Sequence, residues 1–252
     1  MPRYFLELSF NGNELNGWQI QSNTTETIQQ YLADVLSKTL RENIMPIGCG
    51  RTDAGVHAKQ FFAHFDSQHI INHPFDFWIY KWNSMLPEKI AIHKIIPVKD
   101  DAHARYSAIS RTYEYYIHQR KNPFTYNFSW YYPFELHHQK IQEAIQIISK
   151  FNDFACFTKD ADEYNNTLCN ITEIEWRVQS PNIIFKISAN RFLRNMVRAI
   201  VGTLIEVGRE KISLDELVKI IESKDRQKAG FSAPPQGLHL TKIIYPEEIF
   251  IE

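Results

Sequence analysis

With 252 residues, 44% of them apolar and 13% aromatic, the chain can bury a substantial core, which excludes wholesale disorder and suits one large domain or two small ones. Three cysteines, Cys49, Cys156 and Cys169, form neither a disulfide framework nor a CxxC pair, so a reducing compartment is expected and a structural zinc site is not. The N-terminus has no apolar leader, no apolar run is long enough to span a bilayer, and the net charge of −1 argues against a nucleic-acid partner, so composition alone points to a soluble cytoplasmic protein.

Alternation of Tyr4, Leu6, Leu8 and Phe10 predicts a first strand, closed by a turn at Asn11-Gly12-Asn13. After Gly17-Trp18-Gln19, Thr27 with Gln30 reads as a capping box opening a helix whose apolar stripe is Ile28, Leu32, Val35, Leu36 and Leu40. A short strand at 44–48 leads into a glycine-rich loop, followed by a strand at 60–66, a helix at 74–86 and a strand at 90–98. The second half continues with a strand at 111–119, an amphipathic helix at 138–151 and an acidic loop at 152–168. Strands at 169–179 and 182–189 precede a helix at 191–206. Ser213 with Glu216 caps a last helix, and a strand at 238–245 ends the pattern. The order is α+β: two packed α/β halves, 1–105 and 106–252, with a largely antiparallel sheet and helices on the outside.

The loop Gly50-Arg51-Thr52-Asp53-Ala54-Gly55-Val56-His57-Ala58 is the most informative stretch. Its glycines demand special backbone geometry, and an aspartate between them can project into a cleft. Taken alone, Asp53 is more often a turn residue than a catalyst, and His57 more often structural. No metal-ligand spacing involves His57, and no Walker or dinucleotide-binding fingerprint is present, so no metal or cofactor is expected.

This loop resembles the signature of the tRNA pseudouridine synthase A family. Four further blocks resemble that family in order. They are Gly17-Trp18-Gln19; His103-Ala104-Arg105-Tyr106-Ser107-Ala108 running into Ser110-Arg111-Thr112-Tyr113-Glu114-Tyr115; Asp153-Phe154 with Phe192-Leu193 and Met196-Val197-Arg198; and Ala233-Pro234 with Gly237-Leu238. The resemblance implies the pseudouridine synthase fold with an active-site cleft between the halves. It implies an isomerase that converts uridine to pseudouridine at tRNA positions 38, 39 and 40, in the anticodon stem-loop. It also implies a homodimer that binds tRNA and acts without a cofactor, with no role for DNA or a membrane.

On this resemblance Asp53 is the catalytic carboxylate, acting as nucleophile or by proton abstraction at the sugar. Arg198 is its cationic partner and Tyr113 the residue that stacks on the base. Leu238 forms an apolar wall of the uracil pocket, and Arg51 helps the target nucleotide leave its stack. Arg111, Arg191 and Arg194 are further substrate-binding candidates. On a helix, Arg191, Arg194 and Arg198 would form one basic face. Cys49, Asn195 and His239 depart from the usual pattern.

Three other readings compete. A non-catalytic RNA-binding module would not need Asp53. A hydrolase acting on a nucleoside or glycoside would need a second placed acid that the loop lacks. A scaffold would leave the ordered blocks unexplained. The charge also looks different once located. Lys186, Arg191, Arg194 and Arg198 come with no acid among them, while the acids gather at 153–175 and toward the C-terminus. The expectation becomes a basic cleft on a nearly neutral body, with weak binding to arbitrary nucleic acid.

Overall fold

A computed structural model describes residues 1–71 and 74–251. In chain order the elements are β1 (Arg3–Phe10), α1 (Ile28–Leu40), β2 (Ile47–Gly48), β3 (His57–Asp66), α2 (Phe75–Asn83), β4 (Ile90–Val98), β5 (Ser110–His118), β6 (Trp130–Tyr131), α3 (His138–Ile148), β7 (Ile171–Gln179), β8 (Asn182–Ala189), α4 (Met196–Gly208), α5 (Leu214–Ser223) and β9 (Leu238–Ile244). This is an α+β chain. It forms two compact units, one of residues 1–109 with those from 240 onward, the other of residues 110–239. Where the sequence suggests a single boundary at 105/106, the chain therefore crosses twice, and its C-terminal segment returns to the first unit.

In the first unit β1 lies between β3 and β4, antiparallel to both, and β9 follows β3 in the strand order. The alternation is obeyed: Tyr4, Leu6, Leu8 and Phe10 are all buried. Phe5 on the opposite face is buried too, against the rings of Phe62 and Tyr245 at 6.3 and 5.2 Å. At Phe5 the second face of this strand is thus covered as well. At the start of α1, Thr27 Oγ1 accepts from Gln30 N at 3.3 Å. The box is only half made, because the Gln30 side chain donates to Asp34 instead of reaching back to Thr27. Helix α2 begins after Pro74 and ends at Asn83, three residues short of the expected end. There Asn83 exchanges two 2.8 Å hydrogen bonds with the backbone of Ile92 and ties the helix to β4.

In the second unit β8 lies between β5 and β7, antiparallel to both, with β6 parallel to β5. Tyr115 and Ile117 on β5 are buried opposite Phe185 and Ile183 of β8. Helix α3 turns Ile141, Ala144, Ile145 and Ile148 inward, and α5 opens on a complete capping box between Ser213 and Glu216. The expectation of helices on the outside fails for α4. All its residues except Arg198 and Glu206 are buried, because it is apolar on every side. Its one hydroxyl is accommodated: Thr203 Oγ1 donates to Ala199 O at 2.8 Å and accepts from Gly230 N at 2.9 Å.

Candidate active site

The Asp53 loop leaves the sheet where Cys49 N donates to Phe62 O at 2.8 Å, and re-enters it at His57 on β3. Between these points Asp53 opens a tight turn. Its carbonyl accepts from Val56 N at 3.2 Å, and Gly55 takes φ +78°, the third-position geometry that favours glycine. Arg51 is exposed and Asp53 partly so.

The segment Gly17-Trp18-Gln19 holds this loop. Trp18 N donates to Thr52 O at 3.3 Å, and Gly55 N donates to Leu15 O at 3.2 Å. Gly17 sits at φ +80°, where a Cβ would fall 2.2 Å from Thr52 O. The indole of Trp18 is buried and stacked on Phe61 at 4.5 Å. A side chain at Gly48 would strike that indole at 2.6 Å. The same segment caps α1, since Gly17 O and Trp18 O accept from Ile28 N and Gln29 N at 3.2 and 3.0 Å. Gln19 donates to the buried Gln29, whose own amide donates to Pro46 O. His57 is buried and its Nδ1 accepts from Gly12 N at 3.1 Å. Its structural role agrees with the bland expectation for an isolated histidine.

Tyr113, Arg198, Leu238, Arg111, Arg191 and Arg194 all belong to the second unit. Tyr113 faces Ile187 across the β5–β8 ladder, and its ring meets the edge of Phe192 at 5.1 Å and 90°. Arg198 stands in the first turn of α4. Its Nε donates to Ala233 O at 2.7 Å, and its own carbonyl accepts from Ala233 N at 2.9 Å. The strap carrying Ala233 lies flat on α4, because a Cβ at Gly202 would sit 1.7 Å from Phe231 O. Tyr115 OH donates to Pro234 O at 2.7 Å, and Gly237 leaves room for that ring. Burial raises the Tyr115 phenol well above its ordinary pKa, while nearby Arg198 opposes the rise. Tyr115 is a core residue, and Leu238 is buried where the strap enters β9.

The proposed basic face of a helix is corrected. Helix α4 starts at Met196, so Arg191 and Arg194 lie in the loop before it and only Arg198 is helical. The cause is Asn195, whose left-handed backbone at φ 64° precludes a continuous helix and whose amide donates to Ser232 at 2.6 Å. Arg194 pairs with Asp160 at 3.1 Å, and Arg191 lies over the Tyr164 ring at 5.6 Å. Asn190 joins two of the candidates: Arg111 donates to its carbonyl at 2.7 Å, and Arg191 N to its side chain at 2.9 Å. Lys186 pairs with Glu173 at 2.6 Å. The acid-free run is thus partly neutralised by acids distant in sequence. His239 is buried with its Nε2 2.9 Å from Phe128 O. Cys49 is buried beneath the loop.

The roles of Gly17, Trp18, Gln29 and Phe192 in bracing these side chains are invisible to periodicity. The Gly17-Trp18-Gln19 block marks the first two and the Phe192-Leu193 block the last, while Gln29 has no such signal.

A family model described as tRNA pseudouridine synthase matches residues 151–246. The chain is similar to tRNA pseudouridine synthase A of Parabacteroides distasonis, with 43% identity over 250 residues, 99% of this chain and 98% of the relative. It is 45% identical to the protein of that name from Bacteroides fragilis over 253 residues, 99% of each chain. The protein of that name from Aquifex aeolicus is 35% identical over 246 residues, 97% of this chain and 100% of the relative.

Proposed function

The chain belongs to the tRNA pseudouridine synthase A family, and from that premise we propose that it isomerises uridine to pseudouridine at tRNA positions 38, 39 and 40 of the anticodon stem-loop, with Asp53 as the catalytic carboxylate. The enzyme is an isomerase of tRNA uridine. In the reaction the N1–C1′ bond breaks and a C5–C1′ bond forms to the same ribose. C5 gives up its proton and N1 gains one, so nothing is oxidised and nothing is added.

The observation that carries the assignment of Asp53 is the clamp on its loop. Backbone hydrogen bonds from Gly55 N to Leu15 O and from Trp18 N to Thr52 O, and the absent side chain of Gly17, leave this aspartate in a fixed turn that is partly open to solvent. A carboxylate that must meet one carbon of a flipped nucleotide needs such fixed placement. Arg198, held by Ala233 O, serves as the cation of the site. Tyr113, held edge-on by Phe192, stacks on the uracil, and Leu238 bounds its pocket. Arg51 supports nucleotide flipping, and Arg111, Arg191 and Arg194 meet phosphate. The enzyme works as a cytoplasmic homodimer in the pseudouridine synthase fold. No helix among the described residues is long and apolar enough to cross a membrane.

The test is Asp53→Asn, which is nearly isosteric. Pseudouridine formation at the three positions is expected to fall at least 1000-fold while tRNA binding persists. Full activity in the variant would leave a binding module as the better reading, and release of free uracil by the wild type would favour a hydrolase.

A further inference from the structure

The block His103-Ala104-Arg105-Tyr106-Ser107-Ala108 has no part in the chemistry assigned to Asp53, Tyr113 and Arg198. It closes on itself in the first unit. Ser107 N donates to His103 O, and His103 N donates to Ser107 Oγ, both at 2.9 Å. The His103 ring is locked, because its Nδ1 accepts from Arg105 N at 3.0 Å and Tyr106 N at 3.3 Å. Below it lies His64, only 2% exposed, whose Nδ1 accepts from Ala104 N at 3.1 Å. The rings form a ladder: His64 to His103 at 4.6 Å, then His103 to Tyr106 at 4.4 Å with a 37° tilt. The guanidinium of Arg105 lies over the Tyr106 ring, 5.6 Å from its centroid.

Tyr106 is nevertheless 76% exposed. With most of the residue exposed, the ring keeps area open to solvent beside its contacts with His103 and Arg105. Single exposed aromatics are ordinary on protein surfaces. This one differs in that its turn is fixed by four hydrogen bonds and a cation stands beside it. An aromatic face fixed in advance with an adjacent arginine suits an unpaired base and its phosphate.

We propose that Tyr106 and Arg105 form a stacking site for an unpaired nucleotide of the RNA substrate, the base lying on the exposed area of the Tyr106 ring and Arg105 supplying positive charge to the adjoining phosphate. The proposal rests on the reading that the substrate is tRNA.

The experiment uses the full chain and an unmodified tRNA transcript, with Kd measured for wild type, Tyr106→Phe, Tyr106→Ala, Arg105→Ala and Tyr126→Ala. Tyr106→Ala is expected to weaken binding by roughly 5- to 100-fold, the range typical of one lost base–aromatic stack. Tyr106→Phe keeps the ring and should stay within about twofold of wild type. Tyr126→Ala, a control at another exposed tyrosine, should match wild type. Arg105→Ala should reduce the slope of log Kd against log salt by about 0.7. In the wild-type protein, tRNA carrying 4-thiouridine should crosslink to the peptide that holds Tyr106.

Unchanged binding by Tyr106→Ala overturns the site, as does a phenylalanine variant as weak as the alanine one. Crosslinks confined to other peptides overturn it even if the variants fail to fold. A change in light-scattering mass with unchanged Kd assigns the surface to a protein partner instead. Pseudouridine formation by the wild-type preparation separates the two levels. If none forms, the parent reading fails. If it forms and the Tyr106 variants bind normally, only the stacking site fails.

Discussion

His64 carries a pH dependence that can be worked out from its surroundings. Burial, with Arg3 and His103 nearby, pushes its imidazole down from an ordinary 6.5 to about 4, and Asp66 only partly opposes this. Between those two values the unfolded chain takes up a proton that the folded chain refuses. The contribution of His64 to stability is therefore fully present above about pH 6.5. It is lost as pH falls toward 4, and changes no further below. His64→Asn retains an oxygen close to the position of Nδ1, able to accept from Ala104 N, and removes the titration. Its melting temperature should fall by several degrees less than that of wild type between pH 6.5 and 4. Parallel curves would clear His64 of responsibility. Little of this could be read from the chain. A histidine at position 64 looks like any other strand residue until Ala104, forty positions later, is seen to need an acceptor. For the candidate site, the residue types at Asp53, Tyr113 and Arg198 stand out through their motif blocks, but their braces come from distant segments.

Among the elements, the connection between Gly17 and the Asp53 loop gives the clearest steric prediction. Gly17→Ala must place a side chain at φ +80° and within 2.2 Å of Thr52 O. The backbone conformation alone costs about 1–2 kcal/mol, and the collision adds to it. Gly50 has nothing within 4 Å of its missing Cβ. Gly17→Ala should lower the melting temperature by about 5 °C or more, on a scale of about 2–4 °C per kcal/mol for a chain of this size. Gly50→Ala should melt like wild type. Equal melting of the two variants would show that the clamp contributes nothing. Strand positions were legible because alternation is local: 90–98 is matched to the residue, and β8 lies where 182–189 was expected. Helix α4 was misjudged at its start and in its setting. Asn195 adopts a left-handed conformation that no hydrophobic period announces, and burial on all sides depends on what surrounds the helix.

For the whole molecule, the net charge of −1 hides an uneven distribution. Acids outnumber bases in the first unit, and bases outnumber acids in the second. Some of the second unit's cations are already engaged, Lys186 by Glu173 and Arg194 by Asp160. Fewer cations are left to release counterions from phosphate, so the tRNA affinity should fall about tenfold between 50 and 200 mM salt, well short of the ~10³ or more seen when six or more phosphates are neutralised. Unstructured RNA such as poly(U) should compete poorly. A thousandfold loss, or efficient competition by poly(U), would show a broad electrostatic surface instead. The two-unit organisation was half legible. The joint after Ile109 lies four residues from the expected 105/106 boundary, whereas the return at 240 is a tertiary event without a local signal.

That return has a consequence for how the protein is made. The first unit contains β1, β3 and β4, all emerging early from the ribosome, but also residues beyond 240. Tyr245 packs on Phe5 and Phe62 and donates through its hydroxyl to Ala104 O at 2.6 Å. The middle unit is one uninterrupted stretch, 110–239, and can complete itself during translation. The unit bearing Asp53 must wait, with an open strand edge, until the residues from Leu240 onward have been made. Ribosome stalling just after the codons for residues 110–239 would then yield a nascent chain with one finished unit and an unfinished catalytic one, a species suited to capture by chaperones.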